Sequence, residues 1–194
     1  KQFFPKIQFI IDAAQGDVDS WVRSGEWRKD IPDTAKCYYR LYKFGDMHRL
    51  IAAYEEMLRE YGSMKEYVRS HASTGIEAVS AICRYFAEHD ASTVVPRNTQ
   101  SACKRVCMFL RWMVRSGSPV DLGLWADIID RRTLIMPLDT HVVQEALRLR
   151  LLKSRTASMA TARRLTDAML EVFPDDPLRG DFALFGLGVD EDSK

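Results

Sequence analysis

Two residues of this sequence, Lys104 and Asp139, have side chains suited to covalent chemistry. Asp139 follows Pro137 and directly precedes an amphipathic run that begins near Val142. A carboxylate in that place accepts hydrogen bonds from the free N–H groups of a helix N-terminus, and the positive end of the helix dipole keeps it ionised. The sequence therefore predicts an oriented, ionised aspartate. A helix cap without any chemical role explains the same pattern.

Lys104 is predicted to lie near the start of a helix that runs from about residue 100 to 115, after turn-forming residues at 96–101. Burial on this apolar helix and the positive end of its dipole would both disfavour the ammonium form, leaving an amine that can attack an electrophilic carbon. The loop before the helix could also present backbone N–H groups to a phosphate. The alternative is an exposed lysine without a chemical role.

Other polar residues favour structural interpretations. At about 100° per residue, Arg111 and Arg115 fall within roughly 20° of the helical line through Lys104, but one to three turns further along. Because the helix is otherwise apolar, we expect both arginines to pair with carboxylates of neighbouring elements. The acidic stretch from Asp175 to Asp181 is interpreted as helix caps and a solvated turn. His141 is expected to orient its loop or to bond a backbone carbonyl.

Composition excludes several classes of protein. The chain has 194 residues, of which 46% are hydrophobic and 28% charged, and Lys+Arg and Asp+Glu nearly cancel to a net charge of +1. Such a chain is long enough for a substantial core, and any polyanion must be bound by a local patch. No apolar run approaches the roughly 18–20 residues that span a bilayer, and no secretory signal is apparent. We expect a cytoplasmic protein without a membrane segment.

No metal or cofactor is predicted. The four histidines show no metal-ligand spacing, and the four cysteines (Cys37, Cys83, Cys103 and Cys107) contain no C-x-x-C pair. We expect reduced, buried thiols and no bound cofactor. The sequence begins at Lys1, within an apolar periodic run, so we expect that an upstream element has been removed. The oligomeric state is left open.

Helical periodicity dominates, and no strand alternation is convincing. We therefore predict an all-α fold within a single domain over residues 1–194. Helices are predicted at about 3–11, from Gly16-Asp17 onward, from a cap at Asp46 to Gly62, at 64–68, 74–88, 100–115, 122–129, 139–151, 156–173 and 181–187. The last of these is expected to stop at Gly186 and Gly188.

Over residues 36–189 the chain resembles a bacterial family known only as domain of unknown function 2400. The resemblance is carried by six blocks in order: Tyr38-Tyr39-Arg40-Leu41, Glu60-Tyr61-Gly62-Ser63, Ser101-Ala102-Cys103-Lys104-Arg105, the run from Met108 to Arg115, Pro137-Leu138-Asp139-Thr140-His141, and the run from Asp181 to Gly188. The family name implies no activity.

A more distant resemblance does imply one. The segment from Pro137 to Val142 is similar to the Pro-Val-Asp-Thr-His segment of helix-hairpin-helix base-excision DNA glycosylases, in which that aspartate is catalytic. Bifunctional members carry a catalytic lysine upstream, and Lys104 lies 35 residues before Asp139, an interval near that of the archaeal 8-oxoguanine branch. The usual glycine-rich hairpin loop is replaced here by residues 95–99, and the four-cysteine iron–sulfur loop of many relatives is absent.

This resemblance implies a two-lobed helical fold with a cleft, and a DNA-repair glycosylase or glycosylase/lyase acting on a damaged or modified base. Lys104 would be the nucleophile and Asp139 its electrostatic and acid–base partner. DNA contacts would come from seven further residues: Arg97, Asn98, Thr99, Ser101, Arg105, Thr140 and His141. Two alternatives stay open, a DNA-binding module that has lost the chemistry and a helical protein-interaction module that binds no nucleic acid.

Overall fold

The computed structural model of the chain describes residues 3–192. It is mostly helical, as predicted, with ten α-helices among these residues. The helices are α1 (Phe4–Ala13), α2 (Val18–Arg23), α3 (Trp27–Asp30), α4 (Phe44–Tyr61), α5 (Met64–His71), α6 (Gly75–Glu88), α7 (Lys104–Val114), α8 (Thr140–Arg148), α9 (Met159–Val172) and α10 (Asp181–Asp192). Short 3₁₀ turns lie at Arg131–Thr133 and Pro177–Gly180.

A small hairpin is the exception to the all-helical prediction. Strands β1 (Cys37–Tyr39) and β2 (Tyr42–Lys43) pair antiparallel. The turn between them has Arg40 in the left-handed region, at φ 52°. Two strands this short do not produce the alternation by which a strand is recognised in a sequence, so the pattern gave no signal.

Contacts along the chain separate two compact units. The first consists of the chain up to Tyr67 together with Arg84–Arg97, and the second of Val68–Cys83 together with the chain from Asn98 onward. The predicted single domain and the predicted cleft between two lobes stay predictions.

The first unit has its own aromatic and aliphatic core. Its centre holds Trp27 and Ile31, both fully buried, and the Trp27 indole N–H donates to Glu55 at 3.1 Å. Helix α2 begins where predicted, after Asp17, which caps it by accepting from the Ser20 N–H, and α4 ends before Gly62, whose φ is +77°. The remaining residues packed in this core are Ala14, Trp21, Val22, Tyr38, Ile51 and Leu58.

In the second unit, α8 packs against α10. The buried faces of α7, α8 and α9 contribute its apolar interior: Val106, Cys107, Leu110, Val142, Val143, Ala146, Ala162, Leu165 and Met169. Burying such side chains stabilises each by about 1.5–3 kcal/mol relative to leaving it exposed. This interior fixes the positions of α7 and α8, whose first turns carry the candidate chemistry.

Several predicted boundaries are wrong for local reasons. Helix α4 begins at Phe44, two residues before the predicted cap. Asp46 is its third residue, and the Asp46 carboxylate accepts from the Lys43 N–H at 2.8 Å. Helix α10 continues through Gly186 and Gly188 to Asp192, because glycine weakens a helix without ending it. Cys37 is exposed, so only three of the four cysteines are buried thiols.

The helix predicted at 122–129 is replaced by turns. The Leu122 N–H donates to the carbonyl of Trp112 at 2.6 Å, and the Trp125 N–H donates to that of Met113 at 2.7 Å. These carbonyls belong to the last turn of α7, which lacks intrahelical donors. The first residues of this segment therefore cap the C-terminal end of α7.

Candidate active site

Asp139 is the N-cap of α8, as predicted. Its Oδ1 accepts from the Val142 N–H at 2.8 Å, and its backbone is extended, as an N-cap requires. Buried Pro137 and Leu138 hold the preceding chain, and only 14% of the Asp139 side chain is exposed. The cap uses one carboxylate oxygen and leaves Oδ2 for another partner.

Lys104 is the first residue of α7 and supplies that partner. Its Nζ lies 3.3 Å from Asp139 Oδ2, so two residues 35 positions apart in sequence form an ion pair. The side chain is 48% exposed, which agrees with the alternative of an exposed lysine and not with a buried amine. An amine at the first position of a helix reaches solvent even when the rest of that helix is apolar.

The local backbone explains why α7 starts at Lys104 and not at residue 100. Cys103 is in the left-handed region at φ 47°, which a continuous helix excludes. Ser101 pairs antiparallel with Ser158, and the Ala102 N–H donates to the Ala157 carbonyl at 3.2 Å. The same pairing explains why α9 begins at Met159, capped by Ser158, and not at residue 156 as predicted.

The ion pair lies in the wall of a pocket of about 470 Å³. That volume is in the range of small-molecule and cofactor sites, roughly 300–1,000 Å³. Three segments line it: the start of α7, one face of α8 and the loop before α9. The lining residues are Lys104, Leu138, Asp139, Thr140, Val143, Gln144, Leu147, Arg155 and Ala157.

The predicted DNA contacts divide into two groups. Thr140 is exposed and lines the pocket with Lys104 and Asp139. The others lie outside its lining: Arg97, Asn98, Thr99, Ser101, Arg105 and His141. Arg97 belongs to the first unit, and the rest belong to the second.

Two of these outlying residues have structural contacts. The Asn98 side chain accepts from the Gln100 N–H at 3.0 Å, which closes a turn in the loop before α7. The His141 ring meets the edge of Phe185 of α10, with ring centroids 5.7 Å apart. Both contacts help to hold segments that carry Lys104 and Asp139.

Two pocket residues, Gln144 and Arg155, were not singled out from the sequence. Gln144 is exposed on α8 and belongs to the face formed by Thr140, Val143 and Leu147, at the i, i+3, i+4, i+7 spacing. That spacing, counted from Thr140, was a signal that could have found it. Arg155 had no such signal, because it is brought to the pocket by the backbone pairing between Ser101 and Ser158.

The expectation that Arg111 and Arg115 pair with carboxylates is confirmed. Buried Asp121 accepts from Arg115 Nη1 at 2.5 Å and lies 3.5 Å from Arg111 Nε, while Asp181 bonds Arg111 and Asp176 bonds Arg115 at 2.8 Å. We call these five residues the arginine–aspartate cluster. Asp176 and Asp181 are therefore ion-pair partners, and the interpretation of this acidic stretch as caps and solvated turn is wrong for them.

The cluster also perturbs one titration. Desolvation raises the pKa of Asp181 to about 6, opposed by Arg111 and, more weakly, by Arg115. The carboxylate of Asp139 adds to the rise, which means that the cluster and the candidate site are electrostatically linked.

A second hollow, of about 360 Å³, lies in the first unit. Its lining includes Arg28 and Glu55, which pair at 2.7 Å, and Arg59 and Glu56, which pair at 3.0 Å. Because these charges neutralise one another and the lining contains no lysine, cysteine, serine or histidine, this hollow is the weaker candidate.

Among residues 3–192, no three His, Cys, Asp or Glu side chains converge on a point where a metal ion could bind. Within the same residues, every helix is too short or too polar to cross a bilayer.

The class that these observations define is an all-α protein with an open pocket containing a lysine–aspartate pair. The chain belongs to the family described as "Protein of unknown function (DUF2400)", whose model matches residues 1–190. The match extends further toward the N-terminus than the resemblance noted from sequence blocks. No curated protein and no solved structure matches the chain.

Proposed function

We propose that this protein is a helix-hairpin-helix-type DNA glycosylase with lyase activity, acting on a damaged or modified base in the cytoplasm. The observation that supports the proposal is the 3.3 Å separation of Lys104 Nζ and Asp139 Oδ2 at the wall of an open pocket. The resemblance of the segment around Asp139 to the glycosylase motif supplies the reaction class. A base flipped out of the duplex would enter the pocket.

Each member of the pair has a role in this reaction. Asp139 Oδ2 accepts a proton from Lys104, whose Nζ then attacks C1′ of the target nucleotide. As the N–C1′ bond forms, the bond from C1′ to the base breaks, and the base leaves with the electron pair and takes the proton from Asp139, which returns to its ionised form. The carboxylate also stabilises the positive charge that develops on the sugar.

The orientation of Asp139 supports both roles. Its Oδ1 is held by the Val142 N–H, so Oδ2 is directed at the amine without a change of rotamer. The amine itself is half exposed, and an exposed ion pair is worth only about 0–1 kcal/mol. Lys104 can therefore leave the carboxylate for a substrate at little cost.

Trapping with borohydride tests the proposal. Opening of the C1′–O4′ bond, with a proton passing from Nζ to O4′, then converts the attached sugar into an imine between Lys104 and C1′, which borohydride reduces to a stable amine. We expect a covalent adduct on duplexes that contain an oxidised purine or an abasic site, with the modified peptide mapping to Lys104. Lys153→Met, which changes an exposed lysine outside the pocket lining, is the matched control and should trap like the wild type.

The alternative is a DNA-binding module on the same fold without chemistry. The ion pair favours it in one respect, since Lys104 and Asp139 neutralise each other and could be a surface salt bridge only. This alternative predicts salt-dependent DNA affinity with neither adduct nor strand cleavage across a panel of lesions. That result, obtained with folded protein, would remove the lyase proposal.

A further inference from the structure

The pocket contains a second cation, Arg155, with no role in the chemistry proposed above. Arg155 is exposed in the loop before α9, and it makes no ion pair or hydrogen bond with another residue of the described range 3–192. Lys104, by contrast, is neutralised by Asp139. The uncompensated charge of the pocket therefore belongs to Arg155 and is positive.

The loop that carries Arg155 is held in place. The Ser158 N–H donates to the Thr156 carbonyl at 2.9 Å, and the Thr156 N–H donates to Ser154 Oγ at 3.2 Å. The Ala157 carbonyl, two residues beyond Arg155, accepts from the Ala102 N–H. Ala102 in turn lies two residues before Lys104. The backbone of Arg155 is thus tied to that of the candidate nucleophile, which fixes their separation better than a free loop would.

The pocket wall between these cations has two kinds of surface. Leu138, Val143 and Leu147 form an apolar part, while Gln144 presents an amide that can both donate and accept. A ligand for such a pocket has an apolar or planar portion, polar edges and a negative group near Arg155. A nucleotide unit has all three, and its negative group is a phosphate ester, which the guanidinium can bind through two parallel hydrogen bonds.

We propose that Arg155 binds a backbone phosphate next to the reacting nucleotide and so positions its sugar in front of Lys104. The inference rests on the proposed function for the identity of the ligand as DNA, and on the pocket alone for the preference for a phosphate ester. Gln144 contacts the base or sugar in the same complex and contributes no charge.

The test is the salt dependence of binding, measured by fluorescence anisotropy on a duplex with one tetrahydrofuran abasic-site analogue, which the enzyme cannot cleave. Losing one phosphate contact reduces the slope of log K against log salt by about 0.9. We expect this change for Arg155→Ala, together with a loss of affinity on the order of tenfold. Arg155→Lys should retain the slope because it retains the charge.

Two controls separate this site from general electrostatics. Arg163→Ala removes the same charge from an exposed position on α9 outside the pocket lining and should leave the slope within error of the wild type. Gln144→Ala changes the pocket without changing its charge, so it should lower affinity at an unchanged slope. The melting temperature of each variant verifies that it is folded.

The outcomes distinguish this inference from the proposed function. A wild-type slope for Arg155→Ala would overturn the phosphate site even if borohydride still traps Lys104. A reduced slope without any trapping would retain the phosphate site and remove the lyase. Direct binding of a 5′-mononucleotide or inorganic phosphate, measured by calorimetry, in a protein that binds no duplex would show a phosphate-ester site for free ligands and would overturn the assignment to a DNA backbone.

Discussion

Helix α7 has cations near both ends, and their surroundings differ. Near its C-terminus, Arg111 and Asp121 have 1% and 0% of their side chains exposed, and every carboxylate of the arginine–aspartate cluster contacts an arginine. At its N-terminus, Lys104 is 48% exposed and has one carboxylate partner. The comparison separates ion pairs that hold a fold from an ion pair that is free to change partners.

The physical basis is the cost of removing a charge from water. Buried charges lose several kcal/mol of hydration each and are tolerated only beside opposite charges. The cluster therefore fixes the end of α7 against the turns after it and against α10. In the Lys104–Asp139 pair the lysine is half exposed and stays hydrated, so separating the two charges costs little. A group that must reach a substrate needs this freedom.

The largest effect that would sharpen this comparison is expected from Asp121→Ala. The change leaves Arg111 and Arg115 buried with fewer carboxylates, which should lower the free energy of unfolding by about 3–5 kcal/mol. Lys104→Met, at the other end of the helix, should lower it by less than about 1 kcal/mol. Urea unfolding of both variants measures the difference, and equal losses would break the distinction between the two ends.

A second effect concerns the pH dependence of the cluster. Burial raises the pKa of Asp181 to about 6 from its ordinary 3.8. The folded protein then binds more protons than the unfolded chain between these values, so the contribution of Asp181 to stability is complete below about pH 4 and declines as the pH rises through 6. Unfolding at several pH values, compared with Asp181→Asn, isolates this contribution.

We expect the stability of the wild type relative to Asp181→Asn to decrease from pH 4 to pH 7. The groups that contribute to this titration are Arg111 and Arg115, which oppose protonation, and Asp139, which favours it. A stability difference that increases with pH would mean that pairing with Arg111 outweighs desolvation. In that case the cluster would behave as an ordinary ion pair and not as a strained burial of charge.

The sequence predicted what local patterns determine. The helical cap at Asp139 followed from an acidic residue before an amphipathic run, and the ion pairing of Arg111 and Arg115 followed from their place on an apolar helix. Both predictions depend on neighbours within one or two turns. The closeness of Lys104 to Asp139 came instead from the glycosylase resemblance, since no local pattern relates residues 35 positions apart.

The failed predictions depend on distant partners. The segment at 122–129 has helical periodicity, but it forms turns, and the N–H groups of Leu122 and Trp125 bond the last carbonyls of α7. The start of α7 is set by the pairing of Ser101 with Ser158, which also brings Arg155 to the pocket. Such backbone pairings leave no periodic trace in the sequence, and a pocket built by them becomes visible only in three dimensions.

The smallest effect on stability is expected at the candidate site itself, from Asp139. Asp139→Asn retains an oxygen that can cap α8, so the free energy of unfolding should change little, whereas Asp139→Ala should lower it by about 1 kcal/mol. Activity, unlike stability, should depend on the negative charge of Asp139 and not on its cap. Removing the negative charge beside Lys104 should lower the rate of base release or trapping by a factor of about 10² or more in both variants.

Unfolding curves and single-turnover kinetics on one set of proteins measure both quantities. Asp139→Asn with wild-type activity would leave Asp139 as a cap alone. A loss of several kcal/mol in Asp139→Asn would instead place the Lys104–Asp139 pair with the structural ion pairs at the other end of α7.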